Sequence, residues 1–270
     1  ANQTYKKTHP VKKNLLIDYL RDKKKFYLLY SGGFDSSSIL GCAIEADVNV
    51  TPVWINNGFN RAVEAQIRAQ ALNLGCNHLE VIHMEPGAEV LKNPVNRCYH
   101  CKGELIAPLL IRKDAPVFDG TNAADTTNYR PGFKALQEAG VKSPLLELGI
   151  TAEESRAIAI SCGADPLLAN MECCLATRFN YDVPITKDKV DTIRKLEQII
   201  ITQTGDYHTR CRLDDADHLR IEAGIGNLLY HLGDAAFRLK IIETGKKAAT
   251  FVSIDLEGAR KNMFDQMRNL

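Results

Sequence analysis

In the first two thirds of this chain, short apolar runs alternate with amphipathic stretches, and this order constrains the fold more than any other feature. The apolar runs predict strands at 26–30, 48–55, 78–83 and 116–119. The amphipathic stretches predict helices at 11–21, 36–46, 61–74, 103–113, 131–139 and 151–162. Strands that alternate with helices form a parallel sheet covered on both faces, and such sheets bind ligands outside the carboxyl ends of their strands.

A different order of elements begins after Pro184. The pattern predicts a long helix, two strands, a helix and a strand, at 187–203, 207–213, 218–223, 227–244 and 250–255. This order suits a small α+β domain. We therefore predict an α/β, Rossmann-like parallel-sheet domain over residues 1–183, followed by an α+β domain over residues 184–270 that binds substrate or mediates oligomerisation.

Composition excludes several classes of protein. The chain has 270 residues, of which 45 % are hydrophobic, so it can bury a substantial core. Its 34 basic and 33 acidic residues nearly cancel, which argues against a protein that grips long nucleic acid through its overall charge. No apolar run approaches the ~20 residues that cross a bilayer, and residues 1–21 are basic and polar. We expect a cytoplasmic protein whose eight cysteines are reduced thiols.

A glycine loop follows the first predicted strand directly. It reads Ser31-Gly32-Gly33-Phe34-Asp35-Ser36-Ser37. Two glycines allow a tight turn that presents backbone N–H groups, the serines offer hydroxyls, and the following helix contributes its dipole, so the loop is suited to phosphate. It lacks the lysine of a Walker A loop, and Asp35 beside a phosphate is explained if Mg²⁺ lies between them. The alternative is an ordinary turn in which Ser36 caps the helix.

The string SGGFDSS after a first strand resembles the PP-loop of the N-type ATP pyrophosphatases. Those enzymes cleave ATP between the α- and β-phosphates and adenylate a substrate. The resemblance implies that this loop holds the leaving pyrophosphate while a substrate oxygen attacks the α-phosphorus. Gly120 and Thr121 follow a later predicted strand in a segment that ends in Asp125, and they resemble a second edge of the same pocket.

The cysteines include one CxxC pair and one adjacent pair, which are Cys98 with Cys101 and Cys173 with Cys174. A CxxC can bind one metal ion or cluster through both thiolates. Because no second CxxC exists, a zinc site would need His100 with Cys173 or Cys174, and this possibility stays open. The remaining cysteines are expected to be small buried apolar side chains, at Cys42, Cys76, Cys162 and Cys211.

A series of motifs along nearly the whole chain resembles the LarE family in content and order. They are SGGFDSS, NRCYHCK, GTNAADTTNYRPG, SPLLELGIT, CLATRF, the RCR of 210–212, the RIE of 220–222 and SIDLEGAR. Members of this family are ATP-dependent sulfur transferases that build the thioacid groups of the nickel-pincer nucleotide. The resemblance implies a homo-oligomeric enzyme that uses ATP and takes sulfide and a nucleotide-like carboxylate. Mg²⁺ is expected beside Asp35, and composition argues against a membrane or nucleic acid as a partner.

The resemblance also assigns the sulfur-handling role to Cys174, the cysteine before Leu-Ala-Thr-Arg. Family members with this cysteine alone give up its sulfur, are left with dehydroalanine and act once. Members that also carry the CxxC hold a [4Fe-4S] cluster on three cysteines, and its open iron carries an extra sulfide. By resemblance, Cys98, Cys101 and Cys174 are the cluster ligands here, while the neighbouring Cys173 and the sacrificial chemistry stay open as alternatives.

The mechanism implied is attack on ATP by a carboxylate of a pyridinium dicarboxylate mononucleotide, followed by attack of sulfide on the resulting acyl-adenylate. Arg210 and Arg212 lie two residues apart on a predicted strand, so their side chains share a face and suit a substrate phosphate. Arg178 is a further candidate for the adenylate or substrate phosphate. The alternative for Arg210 and Arg212 is a solvated strand edge, and the alternative for Arg178 is a surface ion pair. Glu197 and Glu222 fall in motifs suited to a divalent ion, although such glutamates are usually only solvated.

Three other functions compete with this interpretation. A tRNA thiolase uses the same loop, but it usually carries an RNA-binding module or several CxxC pairs, and the chain shows neither. An amide-forming relative such as NAD synthetase would use ammonia and have no need of cluster cysteines. An ATP-binding or iron–sulfur carrier module is the alternative without catalysis, and the arginine pair in the second domain argues against it.

Overall fold

The computed structural model describes residues 2–124, 130–215, 217–260 and 263–268. The chain divides into two compact units. The first comprises Ala1–Glu85 and Cys98–Cys173, and the second comprises residues 86–97 and Cys174–Leu270. The predicted domains 1–183 and 184–270 stay a prediction.

The sheet of the first unit has four parallel strands in the order β3-β2-β1-β4. Their bounds are β1 Lys25–Leu29, β2 Asn49–Asn56, β3 Glu80–His83 and β4 Val117–Phe118. All four strands predicted from the apolar runs are present, and their parallel pairing confirms the α/β fold class. Apolar runs arise because helices cover both faces of a parallel sheet.

The helices of the described residues, in chain order, are α1 Asn2–Arg21, α2 Phe34–Glu45, α3 Glu64–Asn73, α4 Ala88–Leu91, α5 Arg97–Leu110, α6 Pro131–Glu138, α7 Pro144–Glu147, α8 Ala152–Ser161, α9 Pro166–Met171, α10 Lys187–Thr204, α11 Ile225–His231, α12 Ala235–Gly245 and α13 Met263–Met267. Among these helices, none is both long enough and apolar enough to cross a bilayer.

One face of the first unit's sheet packs against α5 and α6. Tyr27, Val53 and Val117 from three strands form a core with Ile106 and Leu109 of α5 and with other buried residues. On α2, the buried run from Ser36 to Ala43 packs against α8 and α1. The sheet is therefore held between two layers of helices, and the carboxyl ends of its strands stay at one edge.

The second unit has a three-stranded sheet made of β5 Arg210–Leu213, β6 His218–Glu222 and β7 Phe251–Ile254. β6 is central, antiparallel to β5 and parallel to β7. The long helix α10 ends at Gly205, whose φ of 69° is in the left-handed region that glycine adopts readily. This unit confirms the prediction of a small α+β fold.

Several helices differ from the prediction, among them α1, which begins at Asn2 and not at residue 11. α5 begins at Arg97 and not at residue 103, so the CxxC lies inside its first turns. The single helix predicted over 227–244 is two helices, because Gly233 and Asp234 interrupt it. The Asp234 side chain accepts a hydrogen bond from the Ala236 N–H and so caps the start of α12.

Candidate functional site

The chain turns from β1 into α2 through the glycine loop. Gly32 has a φ of 81°, a conformation that other residues rarely adopt. A Cβ added at Gly32 would lie 2.7 Å from the Ile67 Cδ1, so side-chain packing also requires glycine there. The N-cap of α2 is Gly33, which has no side chain to cap the helix. The first N–H groups of α2 are therefore suited to an anionic ligand.

Serine hydroxyls hold the loop in shape. The Ser36 Oγ accepts a hydrogen bond from the Ser31 N–H at 3.2 Å and donates to the Gly33 carbonyl at 3.3 Å. The Ser37 Oγ donates to the Gly32 carbonyl at 3.4 Å. The alternative in which Ser36 is the N-cap is wrong, because Gly33 occupies that position and Ser36 lies within the helix. Its hydroxyl shapes the loop.

The carboxylate of Asp35 connects the loop to two other elements. It accepts hydrogen bonds from the Asn122 Nδ2 at 3.1 Å and from the Ser155 hydroxyl on α8. Asn122 is buried and belongs to the segment that follows β4. Asp35 therefore joins the carboxyl ends of two neighbouring strands to α8.

The segment after β4 lies directly against the first turn of α2. A Cβ added at Gly120 would be 3.0 Å from the Ser36 nitrogen, so a side chain at this position would crowd the loop. The Thr121 hydroxyl donates to the Asp119 carboxylate within the same segment. The structure thus brings Gly120 and Thr121 to the glycine loop, while Asp125 lies outside the described residues.

The CxxC lies at the start of α5. Cys98 and Cys101 are three residues apart on this helix, a spacing that places both side chains on one face, and each is half-buried. The Asn57 Nδ2 donates a hydrogen bond to the Cys101 Sγ at 3.4 Å. Asn57 is buried and directly follows β2. The thiol pair is therefore fixed to the same edge of the sheet as the glycine loop.

A buried arginine holds the backbone that leads to the adjacent cysteines. The Arg61 guanidinium donates to the carbonyls of Asn170 at 2.6 Å and Met171 at 3.3 Å. The Arg61 N–H donates to the Cys173 carbonyl at 3.1 Å. Arg61 was predicted to begin a helix over 61–74, but α3 begins at Glu64 and Arg61 lies in the preceding turn.

Glu172 brings that segment to the glycine loop. A Cβ added at Gly33 would lie 3.1 Å from the Glu172 Oε2, so the glutamate side chain rests over the loop. Cys173 follows Glu172 directly and is half-buried. Within the first unit, the backbone at Glu172, directly before Cys173, therefore lies against the glycine loop.

Cys174 is exposed and is the first residue of the second unit's main segment. Its carbonyl accepts a hydrogen bond from the Thr177 Oγ1 at 2.7 Å, in a 3₁₀ turn over Leu175–Arg178. In the described part of the chain, no three His, Cys, Asp or Glu side chains lie together as a metal site would require. Cys98 and Cys101 fit two positions of an iron–sulfur or zinc site, and Cys174 as the third ligand stays a prediction.

Two of the arginines predicted to bind phosphate are buried in ion pairs. The Arg178 Nε donates to the Glu197 Oε1 at 2.6 Å, and both side chains are almost fully buried. Glu197 also accepts the Cys211 N–H at 2.9 Å. The Arg212 Nε lies 2.9 Å from the Glu222 Oε2. Burial lowers the pKa of the Arg212 guanidinium, and Glu222 acts in the opposite direction.

Arg210 differs from these two arginines because it is half-buried at the start of β5. Its Nη1 donates to the carbonyls of Tyr207 at 3.1 Å and Thr209 at 2.9 Å. Glu197 and Glu222, which were considered as ligands of a divalent ion, each bond a buried arginine in this unit. The roles assigned to all of these residues stay predictions.

Sequence reasoning missed Asn57 and Arg61. Both follow β2, in the stretch Asn56-Asn57-Gly58-Phe59-Asn60-Arg61. The rule that ligands bind at the carboxyl ends of parallel strands applies to β2 as it does to β1. Polar residues directly after a predicted buried strand were the signal that could have identified them.

No family model matches the chain. It is 29 % identical over 261 residues to an uncharacterized protein of Synechocystis sp., covering 93 % of this chain and 96 % of that protein. It is 31 % identical over 204 residues to an uncharacterized protein of Methanocaldococcus jannaschii, covering 72 % of this chain and 76 % of that protein.

A third relative has a named activity. The pyridinium-3,5-bisthiocarboxylic acid mononucleotide synthase of Lactiplantibacillus plantarum is 27 % identical over 270 residues, covering 94 % of this chain and 93 % of that protein. The parallel sheet and the glycine loop between β1 and α2 define an α/β protein with a PP-loop domain. The chain belongs to the LarE family.

Proposed function

We propose that this protein is an ATP-dependent sulfur transferase that converts a carboxylate of a pyridinium mononucleotide into a thiocarboxylate. One observation carries the proposal: the glycine loop, the Cys98–Cys101 pair and the backbone of residues 170–173 meet at one edge of a single parallel sheet. The loop proposed for ATP and two of the three proposed cluster cysteines therefore lie in the first unit. The name of the Lactiplantibacillus relative supports a product with two thiocarboxylates.

The loop from Ser31 to Ser37 is proposed to bind the pyrophosphate part of ATP. The N–H groups at the start of α2 and its dipole favour an anion, and the serine hydroxyls keep the loop folded. Two carboxylates, Asp35 and Glu172, also lie at this loop. Carboxylates beside a polyphosphate repel it unless a cation lies between them, which supports Mg²⁺ as the partner of ATP here.

The first chemical step is proposed to be adenylation. A carboxylate oxygen of the substrate attacks the α-phosphorus, the bond from that phosphorus to the bridging oxygen breaks, and pyrophosphate leaves. The product is an acyl-adenylate, which is a far better electrophile than a carboxylate. Gly120 and Thr121 are proposed to line the second side of this pocket, because Gly120 packs against the first turn of α2. Positioning and electrostatics perform most of this step.

In the second step sulfur attacks the acyl carbon, the bond from that carbon to the AMP oxygen breaks, and AMP leaves. We propose that Cys98, Cys101 and Cys174 hold a [4Fe-4S] cluster, since thiolates are the ligands of such clusters. When bound, the cluster would supply sulfide at an iron without a protein ligand. The alternative is that Cys174 itself attacks and then loses its sulfur by elimination, which leaves dehydroalanine. The exposure of Cys174 suits contact with substrate in either case.

Several residues of this chain are proposed to act by positioning. Arg61 holds the backbone that leads to Cys173 and Cys174, and Asn57 orients the Cys101 thiol. The substrate phosphate is proposed to bind Arg178, Arg210 and Arg212. Arg210 is the strongest candidate of the three, because it is half-buried whereas the other two are almost fully buried.

The direct test uses the purified protein with ATP, Mg²⁺, sulfide and pyridinium-3,5-dicarboxylic acid mononucleotide. We expect release of pyrophosphate that depends on the mononucleotide, and a product in which sulfur replaces a carboxylate oxygen. Gly120→Val, which crowds the loop, should abolish pyrophosphate release, while Gly226→Ala, at a position in α11 with open space around it, should not. An amide formed with ammonia, or thiolation of tRNA in place of the mononucleotide, would contradict the proposal.

The sulfur source needs a separate experiment. We expect the wild-type protein to take up iron and sulfide anaerobically, and Cys98→Ala, Cys101→Ala and Cys174→Ala to lose the cluster absorption. Cys76→Ala is the matched control, because this cysteine is buried elsewhere in the first unit. An unchanged cluster in Cys174→Ala contradicts the three-cysteine site. Loss of hydrogen sulfide from the chain after one turnover, seen by mass spectrometry, identifies the sacrificial reaction instead.

A further inference from the structure

A second pair of thiols lies outside the candidate site, between α2 and the end of α8. Cys42 is on α2, and Cys162 is the C-cap residue of α8. The two side chains form a hydrogen bond with each other. A Cβ added at Gly41 would lie 2.4 Å from the Cys162 Cβ and 2.9 Å from its Sγ. The glycine therefore allows Cys162 to pack directly onto α2, beside Cys42.

The two thiols differ in exposure. Cys42 is fully buried, whereas Cys162 is half-buried, although both were expected to be buried apolar side chains. A small oxidant from solvent can therefore reach Cys162 but not Cys42. An accessible thiol beside a buried one is the arrangement found in redox-sensitive cysteine pairs.

Charged groups around the pair favour the thiolate of Cys162. The Lys13 Nζ lies 2.6 Å from the Glu45 Oε2. Lys13 lowers the pKa of both thiols, and Glu45 raises it. The hydrogen bond from Cys42 lowers the pKa of Cys162 most, and Lys13 and Ser161 lower it further, to about 7. Partial burial and Glu45 act in the opposite direction. The pKa of Cys42 is raised, because its S–H is the donor in this pair and because it is buried.

We propose that Cys42 and Cys162 form a redox pair that a hydroperoxide converts to a disulfide. The Cys162 thiolate attacks hydrogen peroxide, the O–O bond breaks, and the departing hydroxide is protonated to water, which leaves a sulfenic acid. The Cys42 sulfur then attacks the Cys162 sulfur, the S–O bond breaks, and the Cys42 proton leaves with that oxygen as water. Two thiols and one peroxide thus give one disulfide and two waters.

This modification is separate from the proposed sulfur transfer, but it acts on the helix that carries the nucleotide loop. α2 begins with that loop, and the Ser155 hydroxyl of α8 already bonds Asp35 near its start. A disulfide between Cys42 and Cys162 would join the same two helices covalently at their other ends. Oxidation would thereby fix α2 against α8 along its length.

The pair can be tested in the full-length protein with Cys98, Cys101, Cys173 and Cys174 changed to serine, which removes competing thiols. Reduced protein is treated with hydrogen peroxide, alkylated and mapped by mass spectrometry. We expect a peptide cross-linked through Cys42 and Cys162. With Cys42→Ser, we expect a sulfenic acid at Cys162 that dimedone captures. The proposal is overturned if both thiols remain alkylatable, or if Cys162→Ser leaves an equally labelled sulfenic acid at Cys42.

A second measurement does not depend on oxidation. The alkylation rate of Cys162 at neutral pH should fall severalfold in Lys13→Gln, because the ammonium that stabilises its thiolate is lost. Lys12→Gln is the matched control on the same helix, since the Lys12 Nζ donates to the carbonyls of Leu148 and Gly149. Equal rates in the two variants would show that Lys13 does not act on Cys162 and would count against the proposal.

Discussion

The glycine loop of the first unit and the charged sheet of the second unit keep their shapes by opposite means. In the loop, neutral serine hydroxyls bond backbone groups, and Asp35 is held by an amide and a hydroxyl. Around β5 and β6, arginines are paired with buried carboxylates. The region proposed to take up a polyphosphate therefore keeps its own donors neutral, whereas Arg178, Arg212 and Arg220 of the second unit are paired with carboxylates of the same unit.

The two kinds of contact also differ in energy. A neutral hydrogen bond contributes about 1 kcal/mol net to stability. Removing one member of a buried ion pair costs about 3–5 kcal/mol, because the other charge is left without compensation. Substitutions in the two regions should therefore have clearly different effects on the free energy of unfolding.

The largest effect is expected for Glu197→Gln. The Arg178 guanidinium would remain buried without its carboxylate, so the second unit should lose about 3–5 kcal/mol of stability. Hydrogen exchange at the Cys211 amide, which donates to Glu197, measures this loss locally. Asp191→Asn, in an exposed pair with Arg194, is the control and should cost below about 1 kcal/mol. Equal costs in the two variants would show that burial adds nothing to the contribution of the Glu197 ion pair.

A smaller effect is expected for Arg61→Gln in the first unit. Loss of the guanidinium leaves the carbonyls of Asn170 and Met171 without its charged donors, which should cost about 1.5–3 kcal/mol. Urea unfolding followed by fluorescence reports on this unit, because the single tryptophan, Trp54, lies in β2. Sulfur transfer should also decline if Arg61 positions the cysteine segment. Unchanged stability together with unchanged transfer would show that Arg61 does neither.

Ser155→Ala should have a still smaller effect, about 1.5 kcal/mol, because a single hydrogen bond to the Asp35 carboxylate is lost. The same change should weaken ATP binding severalfold, which equilibrium dialysis can measure. Ser161→Ala is a control on the same helix, since its hydroxyl bonds the Ile158 carbonyl at 2.7 Å and does not touch the loop. If both variants bind ATP equally, Asp35 does not need the contact with α8.

The smallest effect concerns an ion pair near the surface of the first unit. The Arg112 Nη1 donates to the Glu80 Oε2 at 2.8 Å, and this bond lowers the pKa of Glu80. Its contribution is present above the pKa of Glu80 in the unfolded chain and is lost as pH falls through the lower folded value. Glu80→Gln should therefore cost below about 1 kcal/mol at neutral pH and nothing in acid. A larger or pH-independent difference in urea unfolding would contradict this assignment.

Some features of the fold could be predicted because they depend on local chemistry. The strands of the first unit are buried on both faces, so they appear as apolar runs such as the one that contains β2. The conformation of Gly32 is set within the loop, and the loop was identified from its own residues. The start of α5 was missed, because residues 97–102 include two cysteines and polar side chains without a clear apolar period.

Other features depend on contacts between distant parts of the chain. Arg61 bonds carbonyls 109 and 110 residues further along, and no local pattern predicts those partners. Glu197 was considered as a metal ligand because it falls in a motif of the family, whereas its pairing with Arg178 depends on tertiary packing. The glycine loop could thus be predicted, because its residues are adjacent in sequence. The partners of Arg61 and Glu197 could not, because tertiary packing selects them.

The interleaved path of the chain has a consequence for biosynthesis. Residues 86–97 belong to the second unit, where the buried Asn93 donates to the carbonyls of Asn180 and Val183, 87 and 90 residues later. During translation this segment leaves the ribosome well before its partners exist. The strands of the first unit can pair before residues 174–270 are made. The second unit can fold only later, when these residues meet residues 86–97, which were synthesised earlier. Slow elongation or early arrest would therefore leave Asn93 and its neighbours exposed to chaperones and proteases.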